Sequence, residues 1–210
     1  MKLDVEQTRA VVTQALKQVA AQRDRLNELD RGLGDGDHGT TIARGANAAI
    51  ALLGTAAPAS VNEVFTSIGG AMMKSMGGAS GVLFGTFFQG AKACPTSPVL
   101  DVGTLAGFFE KGVESLKQKS KAVVGDKTMM DAVVPAVEAM AQGAANSQPL
   151  EAVLQQAAEA AEKGAQSTKG MLPRFGRART LGERAAAAQD PGATSVSLFL
   201  QGLCEGVRGL

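Results

Sequence analysis

The chain has 210 residues, 45% of them hydrophobic and 20% charged, enough for one domain (1–210) with a substantial core and too apolar for a disordered chain. A net charge of +1, no long basic run and 4% aromatics with no Trp or Tyr argue against nucleic acid as a partner. The first residues carry charge where a signal peptide needs an apolar run, and no membrane-length apolar segment follows, so a cytoplasmic protein without a membrane partner is expected. Cys94 and Cys204 lie far apart without metal-ligand spacing, and are read as free thiols in a reducing compartment.

Helical periodicity runs through the chain, and no segment has the alternation of a strand. Val5, Val12, Leu16, Val19, Leu26 and Leu29 stripe a first helix near 4–29. A second follows over about 38–53, and Ser60-Val-Asn-Glu63 is a capping box for a third that reaches about Met76. The fourth starts in GGASG (77–81) and carries Val82, Leu83, Phe84, Phe87 and Phe88. Asp101 or Thr104 opens the fifth, with Leu105, Phe108, Phe109, Val113 and Leu116 inside it. Asp126 is expected to cap the sixth, with a kink at Pro135. The seventh covers about 149–168. Asp190-Pro191 starts the eighth, an N-cap followed by proline at the first helical position.

Eight helices on mostly short turns predict an all-α, up-and-down antiparallel array. The turns after the second, fourth and sixth helices (Gly54–Ala59, Cys94–Leu100, Ala145–Pro149) are plain connectors. Those after the first, third, fifth and seventh hold GDGDHG, GGASG, VGDKT and MLPRFGRARTLGERAAAAQDPG. Alternation places these four at one end, each feeding a helix N-terminus. Four sets of unpaired N–H groups would converge there, an anion site suited to phosphates.

DRGLGDGDHGTT (30–41) is the segment richest in chemistry. In an extended run Asp35 and Asp37 share a side, and Asp30, ending the helix before, reaches the same point. Three close carboxylates repel unless a cation neutralises them, and hard oxygen ligands select Mg²⁺, Mn²⁺ or Ca²⁺. Asp37 as a mere N-cap explains one aspartate, not three. His38, the only histidine, could serve as base, metal ligand or phosphate donor, and its place at a helix start favours the last. GGASG reads either as a tight packing start or as backbone donors around a polyphosphate. Met129 and Met130 are read as core, or as a pocket rim against a flat base. The segment from about 170 to 189 is long for a helix connection. It holds Arg174, Arg177, Arg179 and Arg184, and is read as a lid whose Arg177, between Gly176 and Ala178, reaches phosphate. Carboxylates, helix ends and arginines make a Mg-nucleotide site for phosphoryl transfer. The missing second-substrate pocket points to a half-site that another protein completes.

GDGDHGTT, GGASGVLFGTFF, GDKTMMDAVVP and GRARTLGER…QDPGATS, in this order, resemble the nucleotide-binding subunit of dihydroxyacetone kinases over nearly the whole chain. The resemblance implies an eight-helix antiparallel barrel with ADP or ATP and two Mg²⁺ at one end. It places metal on Asp30, Asp35 and Asp37. It places nucleotide against His38, Gly39, Thr40, Thr41, Ala79, Ser80, Met129, Arg177, Asp190, Pro191 and Gly192, and against Ser120, which stands where the family has glycine. No catalytic residue is assigned to this chain, because the family implies a partner subunit whose histidine holds dihydroxyacetone. It further implies a phosphohistidine carrier of the phosphotransferase system that recharges retained ADP, within a homodimer or heteromeric complex. The alternatives are an ATP-dependent kinase of dihydroxyacetone or erythrulose, and a regulatory module sensed by a transcription factor. A fatty-acid kinase nucleotide domain is a more distant resemblance.

Overall fold

The computed structural model describes residues 1–210. Nine α-helices are present: α1 (Val5–Ala21), α2 (Arg23–Arg31), α3 (His38–Thr55), α4 (Val61–Met76), α5 (Gly78–Gln89), α6 (Val102–Ser120), α7 (Met130–Ala145), α8 (Leu150–Ser167) and α9 (Pro191–Arg208). Short 3-10 segments follow α5 (Gly90–Ala93) and α8 (Arg177–Ala187). There is no sheet, only an isolated bridge between Leu3 and Leu100.

Local chemistry explains most boundaries. Asp4 and Gln7 form a capping box on α1, Ser60 accepts from the N–H of Glu63 to start α4, and Asp101 does the same for Thr104 at α6. At α4 the Glu63 carboxylate reaches back to Ala59 (2.8 Å) instead of Ser60. Asp190 accepts from Ala193 (2.7 Å) with Pro191 behind it at the start of α9.

Two expected boundaries are corrected. The stripe over 4–29 is not one helix: it breaks at Gln22 (φ −90°, ψ 16°) into α1 and α2. The first part has six buried residues, whereas α2 buries only Leu26. With so little apolar face to hold it in the wall, α2 turns across the end of the barrel against α3 and α9. The sixth helix starts at Met130, not Asp126. Gly125 (φ +98°) and Lys127 (φ +59°) are left-handed, which no helix tolerates in its first turn. Asp126 folds back onto the N–H of Val123 (2.9 Å). The Thr128 hydroxyl caps the helix instead, accepting from Met130 N–H (3.2 Å), while Asp131 reaches back to the N–H groups of Gly125 (2.6 Å) and Thr128 (2.8 Å). Pro135 lies within a continuous α7. It cannot donate to the carbonyl of Asp131, and that carbonyl faces Gly164 of α8, where a methyl group would overlap it.

Leaving α2 aside, each helix packs on the next in the chain, and α9 returns to α1. The eight form a closed ring. Its seams rely on residues without side chains: a methyl at Gly69, Gly85, Gly90, Gly112, Gly143 or Gly202 would overlap the neighbouring helix. Phenylalanines fill the interior, with Phe65 against Phe108 (5.5 Å) and Phe109 (5.7 Å), and Phe88 against Phe199 (5.1 Å). The axial space left over is about 20 Å³, room for at most one water. Ser195 is its one polar lining residue. No helix is long and apolar enough to cross a membrane, and both cysteines are free.

Candidate functional site

The motif-bearing turns meet at one mouth of this ring. His38 at the start of α3 bonds Ser195 of α9 (2.9 Å) and lies 6.4 Å from the Phe84 ring of α5. Gly192 packs on Met129, just before α7. Asp126 accepts the N–H of Arg174 (3.2 Å) from the long segment. The plain turns meet at the other end, where Asn62 bonds the carbonyls of Ala91 and Pro95 and the N–H of Ser97. There too Arg208 at the close of α9 pairs with Glu151 at the start of α8.

Asp30, Asp35 and Asp37 present oxygens that all lie within 4.8 Å of one another. Two ligands of one Mg²⁺, each at about 2.1 Å, stand no more than about 4.2 Å apart, so a small closing movement places these oxygens on a shared cation. The donors fit a hard divalent ion. The segment is not extended as expected, because Gly36 is left-handed (φ +77°); a tight turn, not strand alternation, brings the aspartates together. Asp37 occupies the N-cap position of α3 yet makes no capping bond. Asp30 does that work from seven residues away, accepting the N–H groups of Asp37 (3.0 Å) and His38 (3.1 Å). The carboxylate of Asp37 is thereby left free. Arg177 pairs with Asp35.

Of the helix starts that converge, three are closed by the protein's own groups. Besides Asp30, Asn27 clamps α3 by accepting from Thr40 N–H (2.9 Å) and donating to its hydroxyl (3.0 Å). Asp190 closes α9, and Thr128 with Asp131 closes the approach to α7. Only α5 lacks a side-chain cap. Gly77 (φ +71°) and Gly78 (φ +59°) turn the chain into it with open space around them, and exposed Ala79 and half-buried Ser80 form its first turn. Arg44 fixes this entry from below, donating to the carbonyls of Ser75 and Met76 (both 2.7 Å). The mouth thus has one set of unclaimed backbone donors, suited to an anion, beside a cluster of three carboxylates of which Asp37 has no partner.

His38 was expected to offer a phosphate donor, but its imidazole is buried and burial lowers its pKa to about 4, against a smaller opposing pull from Asp30. Ser195 gives its proton to the carbonyl of Pro191 (3.0 Å), so the neutral ring donates to Ser195 from Nε2. It ties α3 to α9. Gly39 is buried against α2, where a methyl group would overlap the carbonyl of Arg23. Thr41 and Met129 lie at the same mouth, half-buried and buried. Ser120 ends α6, its hydroxyl bonded to Leu116 (2.9 Å) and to the N–H of Ala122 (3.2 Å). Desolvation raises the Asp190 carboxyl to about 7, against the opposing N–H of Ala193 and charge of Lys127. Asn27, Arg44, Lys127, Asp131 and Thr168 also build the site, and sequence reasoning passed over them. Only Lys127 and Asp131, inside the GDKTMMDAVVP motif, carried a visible signal.

Residues 32–205 match the family described as the DAK2 domain. The chain is 39% identical over 183 residues to the PEP-dependent dihydroxyacetone kinase, ADP-binding subunit DhaL, of Escherichia coli (strain K12), covering 87% of each chain. It is 34% identical to the corresponding subunit of PEP-dependent dihydroxyacetone kinase 1 of Listeria innocua, covering 90% of each. Its fold is similar to the dihydroxyacetone kinase from C. freundii, solved in complex with AMP-PNP and Mg²⁺, with a TM-score of 0.72 and 27% identity. That alignment covers 94% of this chain and 33% of the C. freundii chain, so the present chain spans about a third of that kinase.

Proposed function

Because the chain belongs to the DAK2 domain family and is a DhaL-type kinase subunit, we propose that its mouth binds Mg-ADP and Mg-ATP and delivers a phosphoryl group to dihydroxyacetone held by a partner subunit. The observation that carries this reading is the placement of three clustered carboxylates at the mouth where the start of α5 keeps its backbone donors unclaimed, with Arg177 on Asp35. Asp30, Asp35 and Asp37 hold two Mg²⁺, which supply charge neutralisation along the phosphates when bound. Backbone N–H groups of Ala79 and Ser80 take phosphate oxygens. Thr40, Thr41, Ser120, Met129 and the Asp190-Pro191-Gly192 turn line the rest of the nucleotide, and His38 and Gly39 set the spacing of α3. Phosphoryl transfer asks a protein mainly for positioning and electrostatic stabilisation, and these residues provide both.

An apolar fringe around the mouth supports a site completed from outside. Val82, Val123, Val124, Leu172, Phe175 and Leu181 are exposed apolar residues on the segments that frame it, a fringe fitted to the partner that carries the sugar. The 39% identity to the PEP-dependent subunit of E. coli, against 32% to human triokinase/FMN cyclase and 33% to a mycobacterial D-erythrulose kinase, favours the form in which ADP stays bound and a phosphohistidine carrier recharges it. Purified protein then retains nucleotide through dialysis. Free ATP with the sugar-binding partner gives about one turnover per site, since a donor that is not released is recharged in place, and the carrier restores steady turnover. Rapid multiple turnover on ATP alone would reject the cofactor reading in favour of an ATP-dependent ketose kinase.

A further inference from the structure

Lys127 is a buried lysine in a left-handed backbone position (φ +59°), where glycine or asparagine fits with less strain. Its ammonium does not meet a carboxylate. It donates to the carbonyl of Thr168 (2.6 Å) and to that of Ala188 (2.5 Å). Thr168 follows the last turn of α8, and Ala188 precedes the cap of α9. These are the two ends of the 169–189 segment, the one that carries Arg174, Arg177, Arg179 and Arg184. The same two ends are bound to each other: Asp190 N–H bonds the Thr168 hydroxyl (2.8 Å), and Gly170 N–H bonds the carbonyl of Ala186 (2.8 Å). The residue before Lys127 grips the segment again, through the Asp126 carbonyl on Arg174 N–H and the Asp126 carboxylate 3.5 Å from the Arg174 guanidinium. A cation at the carbonyl end of α8 also meets the negative end of that helix.

We infer that Lys127 is a positioning residue: it fastens both roots of the arginine-bearing segment at one point, so that Arg177 is presented over the carboxylates from a fixed base. Buried lysines cost desolvation, and that cost is met by two charge-assisted bonds, the stronger kind. The functional part of the inference rests on the reading of the mouth as a Mg-nucleotide site; the structural part does not. Without the ammonium, two carbonyls face a buried gap and the roots separate. The segment then samples positions from which Arg177 no longer reaches the mouth.

The test uses Lys127→Met and Lys127→Arg in the full chain. Trypsin cuts after arginine, so the rate of cleavage within 169–189 of the nucleotide-free protein reports the opening of the segment. The Met variant is expected to be cut there at least tenfold faster than wild type at equal far-UV circular dichroism, and to release Mg-ADP at least tenfold faster. The Arg variant, which keeps donors for both carbonyls, is expected to recover slow cleavage and slow release. A Met variant as resistant as wild type, or Met and Arg variants with equal ADP release, would overturn the inference. If wild type itself binds no Mg-ADP, the proposed function falls and cleavage alone decides. Should Lys127→Met not fold, hydrogen exchange of wild type decides instead. Protection of the Gly170 and Asp190 amides well above that of exposed Arg179 and Leu181 supports the inference, and exchange at equal rates refutes it.

Discussion

Asp30 serves two masters, and three substitutions separate them. Its carboxylate accepts two N–H groups from the first turn of α3 and also stands within 4.8 Å of the oxygens of Asp35 and Asp37. At that distance two unit charges in a water-like medium repel by about 0.9 kcal/mol. Asp37→Asn removes two such repulsions and no hydrogen bond, so the metal-free protein gains about 1 kcal/mol at low ionic strength. Asp30→Asn removes the same repulsion but replaces two charge-assisted bonds by weaker ones to a neutral amide oxygen, leaving stability near that of wild type. Asp30→Ala also loses the cap, which costs about 2–4 kcal/mol; after about 1 kcal/mol of relieved repulsion, a net loss of about 1–3 kcal/mol remains. Urea unfolding in the presence of a chelator should therefore rank Asp37→Asn above wild type and Asp30→Asn, with Asp30→Ala lowest. Calorimetry with Mg-ADP should show all three without metal-dependent binding. Equal stability of the Ala and Asn variants at position 30 would refute the capping role, and unchanged Mg-ADP affinity in Asp37→Asn would refute the metal site.

Two further outcomes follow from charges at the mouth. Arg177 sits on Asp35 in the metal-free protein, so it competes with a cation there while assisting a polyphosphate. Arg177→Gln should tighten binding of Mn²⁺ alone, read by electron paramagnetic resonance, by a few-fold and weaken Mg-ADP at least tenfold; a change of the same sign in both would contradict the pairing. Asp190 holds its proton to about pH 7 when folded, against about 3.9 in the unfolded chain. The folded state then binds the extra proton between these values, so its stabilising effect is whole below pH 4 and lost as the pH rises through 7. About 3 units bound the effect at about 4 kcal/mol. Asp190→Asn, which keeps an N-cap acceptor, should flatten the fall in urea midpoint between pH 4 and 8; parallel curves for variant and wild type would exclude the shift.

The eight-helix ring was readable from the chain because its helices carry strong apolar stripes and mostly local caps, as with Ser60, Asp101 and Asp190. The break at Gln22 was not. No glycine or proline marks it, and the cause lies in how little of α2 the barrel has to bury. Asp126 misled for the opposite reason: it has the look of an N-cap, but Gly125 and Lys127 take left-handed backbone angles that a one-dimensional pattern does not reveal. The carboxylate trio was legible since its members lie within eight residues. The partner of His38 is 157 residues away, and those of Lys127 are 41 and 61 residues away. Such pairs exist only once the ring has closed.

Closure itself depends on what the seams leave out. Where Gly90 meets Gly112, and where Gly69 meets Gly85, backbones touch with nothing between them, so these residues set the circumference of the barrel. A ring with bulkier seams would be wider and its phenylalanine filling too thin. The starts of α3, α5 and α9 would move outward with the wall that carries them. The spacing between carboxylates and phosphate donors at the mouth is in that sense a dimension inherited from the girth of the barrel, fixed by residues that never approach a ligand.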